Sequence, residues 1–334
     1  MCQGVNRAVP RGWRRLPPAR VANRNERLMR WPALEPAAAC ATFHSVASKA
    51  KRLATNADGD FYVDSTCIDC GTCRWMAPAS FDAKGNYARV YQQPRGREEQ
   101  LAALKALVAC PTASIGTIEK HDLGPIAGAF PDPIDADVFH CGYHHEGSFG
   151  ATSYLIVRER GNVLVDSPRF TRRLVKRIED MGGIETMFLT HADDVADHQK
   201  FRDHFGCRRV LHADDVRHNT RTIERPVEGI EPVALADDLI VIPTPGHTEG
   251  SACLLYRETF LFSGDHVAWS IPMQRVYAFS GACWYDWDVQ IESMERLAEY
   301  RFEHILPGHS APCRFPADDM RARIRDCVEW MRAA

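Results

Sequence analysis

From residue 137 onward the chain alternates short apolar runs with longer helical patterns. The runs are ATSYLIV and NVLVD, then IETMFLT, RRVLH, DLIVIPT, SACLLY, TFLF and EHILP, most of them bounded by Gly, Pro, Asp or Asn. Apolar segments of this length between turn residues predict strands, and helical runs such as VQIESMERLAEY between them predict an α/β domain. Upstream, residues 59–65 (GDFYVDS) read as a strand and a short helix is expected to begin near Arg74. Residues 97–109 (REEQLAALKALVA) place Leu101, Leu104, Leu107 and Val108 on one helical face.

Where these patterns fail, boundaries are expected. Residues 1–50 lack periodicity and contain Pro10, Pro17, Pro18, Pro32 and Pro36, so residues 1–55 are read as a disordered basic extension. Residues 121–136 (HDLGPIAGAFPDPIDA), with three prolines and two glycines, read as a linker. The expected organisation is thus an extension (1–55), a small domain (56–120), a linker (121–136) and an α/β domain (137–334).

The 334 residues are 45% hydrophobic and 25% charged, which suits a globular protein with room for two domains. No apolar run approaches the roughly 20 residues of a membrane-spanning helix, so no membrane association is expected. Formal net charge is −3, yet residues 1–52 hold 11 Lys or Arg against two Glu, leaving −12 on the rest; no nucleic-acid surface is implied. The extension is Arg-rich and acid-poor like an organellar transit peptide, but only Ser45 and Ser48 precede residue 53, and Met29 offers an alternative start. The location expected is cytoplasmic, or chloroplast or mitochondrion if the extension is a transit peptide.

Twelve cysteines change the picture. Cys67, Cys70 and Cys73, followed remotely by Cys110 and Pro111, have the spacing of thiolates that converge on one iron-sulfur cube. Four soft thiolates select iron-sulfur or zinc. Only one CxxCxxC occurs, so all four are expected to hold a single 4Fe-4S cluster. Cys2, Cys40, Cys141, Cys207, Cys253, Cys283, Cys313 and Cys327 have no framework spacing and are expected to be free thiols in a reducing compartment. Residues 56–120 resemble a single-cluster bacterial-type ferredoxin.

Metal-ligand residue types recur just past the apolar runs: His191, Asp193, Asp197 and His198, then His247, Asp265 and His309. Strand-end loops are where such sheets place their chemistry. Taken singly, Asp193 and Asp197 also suit N-caps of the helical segment that runs to Phe205. His212 reads as a strand-end histidine, and His144 and His145 as exposed hairpin residues or as side chains facing the site. Trp284, Tyr285 and Trp287 read as packing anchors or a cleft wall.

In order, THADDVADH, TPGHTEGS, FSGDH and LPGHS resemble the metal-binding loops of the metallo-β-lactamase fold. The resemblance implies a four-layered αββα sandwich with one or two divalent metals (Zn, Fe or Mn), usually hydrolytic. Carried over, His191 and His247 would hold the first metal with Asp193 or Asp194; Asp197, His198 and His309 would hold the second; Asp265 would bridge. The family's first motif is usually H-x-H-x-D-H, so a carboxylate replaces its second histidine here and two residues are inserted before Asp197–His198. The function implied is hydrolysis of an ester or thioester-like small molecule by a hydroxide shared between the metals, with Asp197 and Asp265 as catalytic residues. The carboxylate at Asp193 keeps an alternative open, because it hardens the first site toward iron. Flavodiiron proteins share the substitution, and a redox enzyme would draw electrons from the cluster and from a redox partner.

Overall fold

The computed structural model describes residues 47–333. Residues 1–46, with Cys2 and Cys40, lie outside the described residues. Residues 47–55 do not belong to a disordered tail: Ser48 N donates to Asp64 Oδ2 at 2.7 Å, and Arg52 forms a β-bridge with Asp64.

The first domain contains β1 (Phe61–Val63), α1 (Thr72–Met76), β2 (Phe81–Lys84), β3 (Tyr87–Val90), α2 (Gly96–Ala109) and β4 (Ile115–Thr117). β1 pairs with β4 and β2 with β3, both antiparallel. Phe61, Val63, Phe81 and Val90 pack against Ala103, Leu104, Ala106 and Leu107 of α2, with Cys73 and Cys110 at the edge of this core. Leu101 is 41% exposed, so the buried face of α2 is turned from the expected one. The small alanines at 103 and 106 let the helix approach the strands, and Leu101 falls outside that contact.

The stretch expected as a linker is structured: it carries α3 (Gly124–Gly128) and β5 (Asp132–Asp135). Phe130 and Ala127 are buried beside Leu155 and Leu164, which explains why a Pro-rich segment is held in place. Lys105 of α2 also pairs with Asp132 at 2.8 Å.

The second domain continues through β6 (Val138–His140), β7 (Tyr154–Ile156), β8 (Val163–Val165), α4 (Arg172–Asp180), β9 (Thr186–Phe188), α5 (His198–Phe205), β10 (Arg208–His212) and β11 (Arg225–Val227). It then adds β12 (Val233–Ala236), β13 (Leu239–Pro243), β14 (Ala252–Tyr256), β15 (Phe260–Gly264), β16 (Ala268–Ser270) and β17 (Arg275–Tyr277). α6 (Trp287–Leu297), β18 (His304–Pro307), β19 (Cys313–Arg314) and α7 (Ala317–Ala333) complete it. One sheet runs β11-β10-β9-β8-β7-β6-β5 and the other β12-β13-β14-β15-β18-β19.

Side-chain alternation along the strands sets the layers. Ile156, Val165, Phe188 and Val210 from the seven-stranded sheet meet Val241, Leu254, Phe262 and Leu306 from the six-stranded sheet. Their neighbours point outward: Leu155, Leu164 and Met187 meet Leu174, Ile178 and Phe201 of α4 and α5. On the other side Ile242, Leu255, Leu261 and Ile305 meet Met294 of α6 and Ile324 of α7. Strands covered on both faces read as unbroken apolar runs, which is why IETMFLT or SACLLY lacked a period of two. The result is a four-layered αββα sandwich, and no helix among the described residues is long and apolar enough to cross a membrane.

Because Leu254 is fully buried between the two sheets, Leu254→Ala should cost about 2–5 kcal/mol of folding free energy. Denaturant unfolding of the two proteins checks this, and a loss under 1 kcal/mol would contradict the packing.

Candidate metal centres

The cluster loop is shaped by two left-handed residues, Asp69 (φ 60°) and Gly71 (φ 85°), between β1 and α1. They turn the chain so that Cys67, Cys70 and Cys73 line one enclosed cavity, and Cys110, at the C-terminal cap of α2, closes it beside Pro111. Asp69 N donates to Cys67 Sγ at 3.4 Å and Ser114 N to Cys110 Sγ at 3.3 Å. Burial pushes the Cys67 thiol up, that of Cys70 up to about 11 and that of Cys73 well above its ordinary value, with neighbouring sulfurs adding to each shift. Four converging thiols, of which Cys67, Cys70 and Cys73 resist ionisation as a bare set, suit a cationic iron core, which offsets both desolvation and mutual repulsion.

The second centre sits on loops leaving the strand ends. His191 follows β9, His247 follows β13, Asp265 follows β15 and His309 follows β18. His191 Nε2 lies 3.8 Å from Asp265 Oδ2 and 3.9 Å from Asp194 Oδ2. His247 Nε2 lies 3.6 Å from Asp193 Oδ2 and 3.8 Å from Asp265 Oδ2. His309 Nδ1 lies 2.8 Å from Asp265. Two donor groups result, His191–Asp193–His247 and His191–Asp194–Asp265.

These residues fit cations. The Nε2 atoms of His191 and His247 and both carboxylate oxygens of Asp194 are buried with no hydrogen-bond partner, a costly condition unless a cation completes them. The rings are aimed from behind: Thr190 Oγ1 lies 2.9 Å from His191 Nδ1 and is itself held by Asp166, while His247 Nδ1 donates to Ala282 O at 2.5 Å. Such outer partners fix ring orientation. Gly308 is required for close approach, since a Cβ there would stand 2.7 Å from Asp194 Oδ2 and 2.8 Å from Asp265 Oδ1.

The electrostatics follow from crowding. Burial and the Asp265 charge push Asp194 well above the usual carboxylate range. Burial alone would raise Asp265, but His309 beside it and the charges of His191 and His247 hold it low. His309, despite burial, is pushed up to about 10 by Asp265 and Asp194. Burial lowers His191 to about 4.

Asp197 and His198 are not brought to this centre. Asp197 accepts from Phe170 N at 2.8 Å and pairs with Lys200 at 2.7 Å, and His145 Nε2 stands 3.5 Å away. His198 Nδ1 lies 3.0 Å from Arg209 Nη1, within a buried network anchored by Glu224. The physical reason is the start of α5: Asp197 is its N-cap residue, so the pair is carried onto the helix while Asp193 and Asp194, in the preceding bend, turn inward. The choice between Asp193 and Asp194 dissolves because the two face the centre from different sides, Asp193 at His247 and Asp194 at His191.

His212 is a strand-end residue with its Nε2 2.9 Å from Gly229 O. His144 is fully buried rather than exposed, and His145 caps the turn that follows. Trp284 is 66% exposed, 6.2 Å from the His247 ring, and lines the cleft, whereas Trp287 packs through a bond to Met331 O. His266, in the FSGDH loop next to Asp265, is a further histidine of this region: it is buried with both ring nitrogens unpartnered, and burial lowers it to about 3.

The cleft over the centre measures about 1310 Å³ and both domains line it. Asp193, Asp194, His247, Asp265, His309 and Trp284 come from one side, and Cys70, Arg74, Trp75 and Tyr91 from the cluster domain.

Residues 63–117 match the family model of the 4Fe-4S single cluster domain of Ferredoxin I. A protein of Methanocaldococcus jannaschii named a probable metallo-hydrolase is 24% identical over 191 residues, covering 48% of this chain and 88% of that protein. DIM-1 metallo-β-lactamase superposes with a TM-score of 0.46 at 16% identity, over 59% of this chain and 95% of its own. ETHE1 from Myxococcus xanthus superposes with a TM-score of 0.42 at 17% identity, over 57% and 88%. The chain joins a ferredoxin-type 4Fe-4S domain to a metallo-β-lactamase fold domain, the latter carried by its layer order and its ligand loops.

Because cations must displace the protons held by His309 and Asp194, metal affinity at this centre should rise with pH across the range 6–9. Competition with a chelator for zinc at the two ends of that range checks this, and an affinity that falls with pH would contradict the donor set.

Proposed function

We propose that this protein is a metal-dependent hydrolase of a small, uncharged ester- or thioester-like molecule with a bulky apolar part, carrying a 4Fe-4S cluster in the wall of its substrate cleft. The observation that carries the reading is the convergence of buried, unpartnered His191 Nε2, His247 Nε2 and Asp194 carboxylate oxygens beneath that cleft. His191, Asp193 and His247 would hold one cation, Asp194 and His309 a second, and Asp265, within 3.8 Å of His191 and His247 and 2.8 Å of His309, would contact both. When bound, such cations polarise a carbonyl and lower the pKa of water to roughly 7.

The chain's own residues define what can enter. Five aspartates (Asp69, Asp82, Asp193, Asp194 and Asp265) line the cleft against one arginine, Arg74. That arginine is already paired with Asp69. No free lysine or arginine among the lining residues could receive a phosphate or a carboxylate, which argues against nucleotide-like and polyanionic thioester substrates. Trp75, Phe149, Tyr277, Phe279 and Trp284 offer apolar area around the donors and would exclude water from a bound acyl or aryl group.

A second reading is favoured by one further observation: Cys70 lines the same cleft as the donor residues, and three carboxylates among six donors suit iron or manganese as well as zinc. Phe149 O lies 3.3 Å from His309 Nε2 and Gly150 abuts Cys70. Cys70 and this backbone would then form the path by which an electron from an external one-electron carrier reaches iron held at His309.

Hydrolysis of neutral p-nitrophenyl esters, with metal content measured alongside, tests the proposal. Asp194→Asn should lower turnover more than about 100-fold and reduce bound metal, whereas Asp197→Asn should stay near the parent rate. Full activity in Asp194→Asn would refute the assignment. Iron retained beyond the cluster in a Cys67→Ala, Cys70→Ala protein, with no esterase turnover in the parent, would favour the redox reading.

A further inference from the structure

A chain of buried hydrogen bonds crosses from the second domain to the cluster loop, and neither the proposed hydrolysis nor the metal ligation uses it. His140 Nε2 lies 2.8 Å from His144 Nε2. His144 Nδ1 lies 2.7 Å from Gly150 O and 3.1 Å from Thr72 Oγ1. Thr72 Oγ1 lies 3.4 Å from Cys70 Sγ and 3.3 Å from Gly150 O. All four residues, His140, His144, Thr72 and Gly150, are buried.

The protons on this chain can be assigned from valence alone. A carbonyl oxygen only accepts, so His144 Nδ1 must carry the hydrogen that it donates to Gly150 O. The ring is neutral, because burial lowers it to about 4. Its Nε2 is then a bare acceptor, and His140 Nε2 must be the donor to it. The single hydrogen of the Thr72 hydroxyl has two acceptors in reach, Gly150 O at 3.3 Å and Cys70 Sγ at 3.4 Å, and the His144 Nδ1–H that Gly150 O already accepts at 2.7 Å favours the sulfur. A cysteine that ligates iron is a thiolate and can only accept.

We propose that His140 and His144 of the second domain hold the Thr72 hydroxyl pointed at Cys70 Sγ, so that the metallo-β-lactamase fold domain sets the reduction potential of the cluster in its partner domain. Thr72 and His144 are positioning residues, not catalytic ones. The contacts from Asp69 N to Cys67 and from Ser114 N and Thr112 Oγ1 to Cys110 lie within the cluster domain, so among the described residues Cys70 is the ligand whose polar environment reaches into the other domain. Gly150 makes the contact tight: with φ at 84°, a Cβ there would stand 2.7 Å from Cys70 Cβ and 2.9 Å from its Sγ. A hydrogen bond to a ligand sulfur stabilises the extra negative charge of the reduced cluster and raises its potential.

The inference rests on the 4Fe-4S reading and is independent of what the cleft hydrolyses or reduces. Its test is an EPR-monitored redox titration of full-length protein at one fixed pH, with iron and acid-labile sulfide measured on every variant. Thr72→Val should lower the midpoint potential, Thr72→Ser should leave it near that of the parent, and His144→Leu should lower it because Gly150 O, freed, captures the hydroxyl. In the double variant the potential should fall no further than in Thr72→Val alone, a non-additivity that a merely structural role for His144 would not produce. Should Thr72→Val fail to assemble a cluster, Thr72→Ala removes the same hydroxyl without added bulk. An unchanged potential in a fully loaded Thr72→Val or Thr72→Ala protein overturns the proposal, as does an additive double variant. Absence of sulfide from the parent would overturn the cluster reading itself and is told apart by that analysis.

Discussion

Desolvation of negative ligands governs this molecule. Carboxylates and thiolates taken out of water without positive partners are expensive, and a bare chain meets that cost by holding protons. At the strand-end site the proton sits between His309 and Asp265 and on the carboxyl of Asp194; at the cluster site it sits on Cys70 and Cys73. Both sites are therefore incomplete as protein alone, and both become consistent once cations replace protons. The sandwich beneath must be rigid enough to keep the donors apart while they wait, and its three apolar interfaces supply that rigidity.

The layers also explain where the donors emerge. Strands β9, β13, β15 and β18 end within reach of one another although they belong to two sheets, because the sheets pack face to face over Phe188, Val241, Phe262 and Leu306. A one-residue slip in any of them would turn its inward side chains outward and its terminal loop away. Chemistry at the edge is thus inherited from register in the core.

The strand runs, the cysteine set and the loops around His191, His247, Asp265 and His309 were legible in the sequence because each is a local signal: an apolar run, a fixed spacing or a glycine next to a ligand type. Asp197 and His198 misled because the Asp-His pair of the family motif outweighed the helix-cap alternative for Asp197, and α5 does begin at His198 with Asp197 as its N-cap residue. Asp194 was harder, since only the tertiary bend shows that adjacent aspartates face different partners. The segment 121–136 looked like a linker because proline and glycine dominate it, yet Phe130 and Ala127 anchor it in the core. His144 looked exposed for the same reason that any polar residue between glycines does. It is buried in contact with Thr72, 72 positions away in sequence, and no window of sequence holds both.

The contacts among His144, Gly150 and Cys70 bear on why two domains share one chain. A separate domain would meet this fold through an exposed surface and leave again; here the cysteine loop of the ferredoxin-type domain is packed against Gly150 and walls the cleft with Arg74 and Trp75. The cleft is lined by both domains, so any movement of the cluster loop would alter the shape of the pocket, and any ligand in the pocket would alter the surroundings of Cys70. Such coupling is reciprocal by necessity. It requires no long pathway, because Phe149 O stands 3.3 Å from His309 while the next residue, Gly150, abuts Cys70. One dipeptide therefore spans the two centres, and its glycine is the residue that permits the approach.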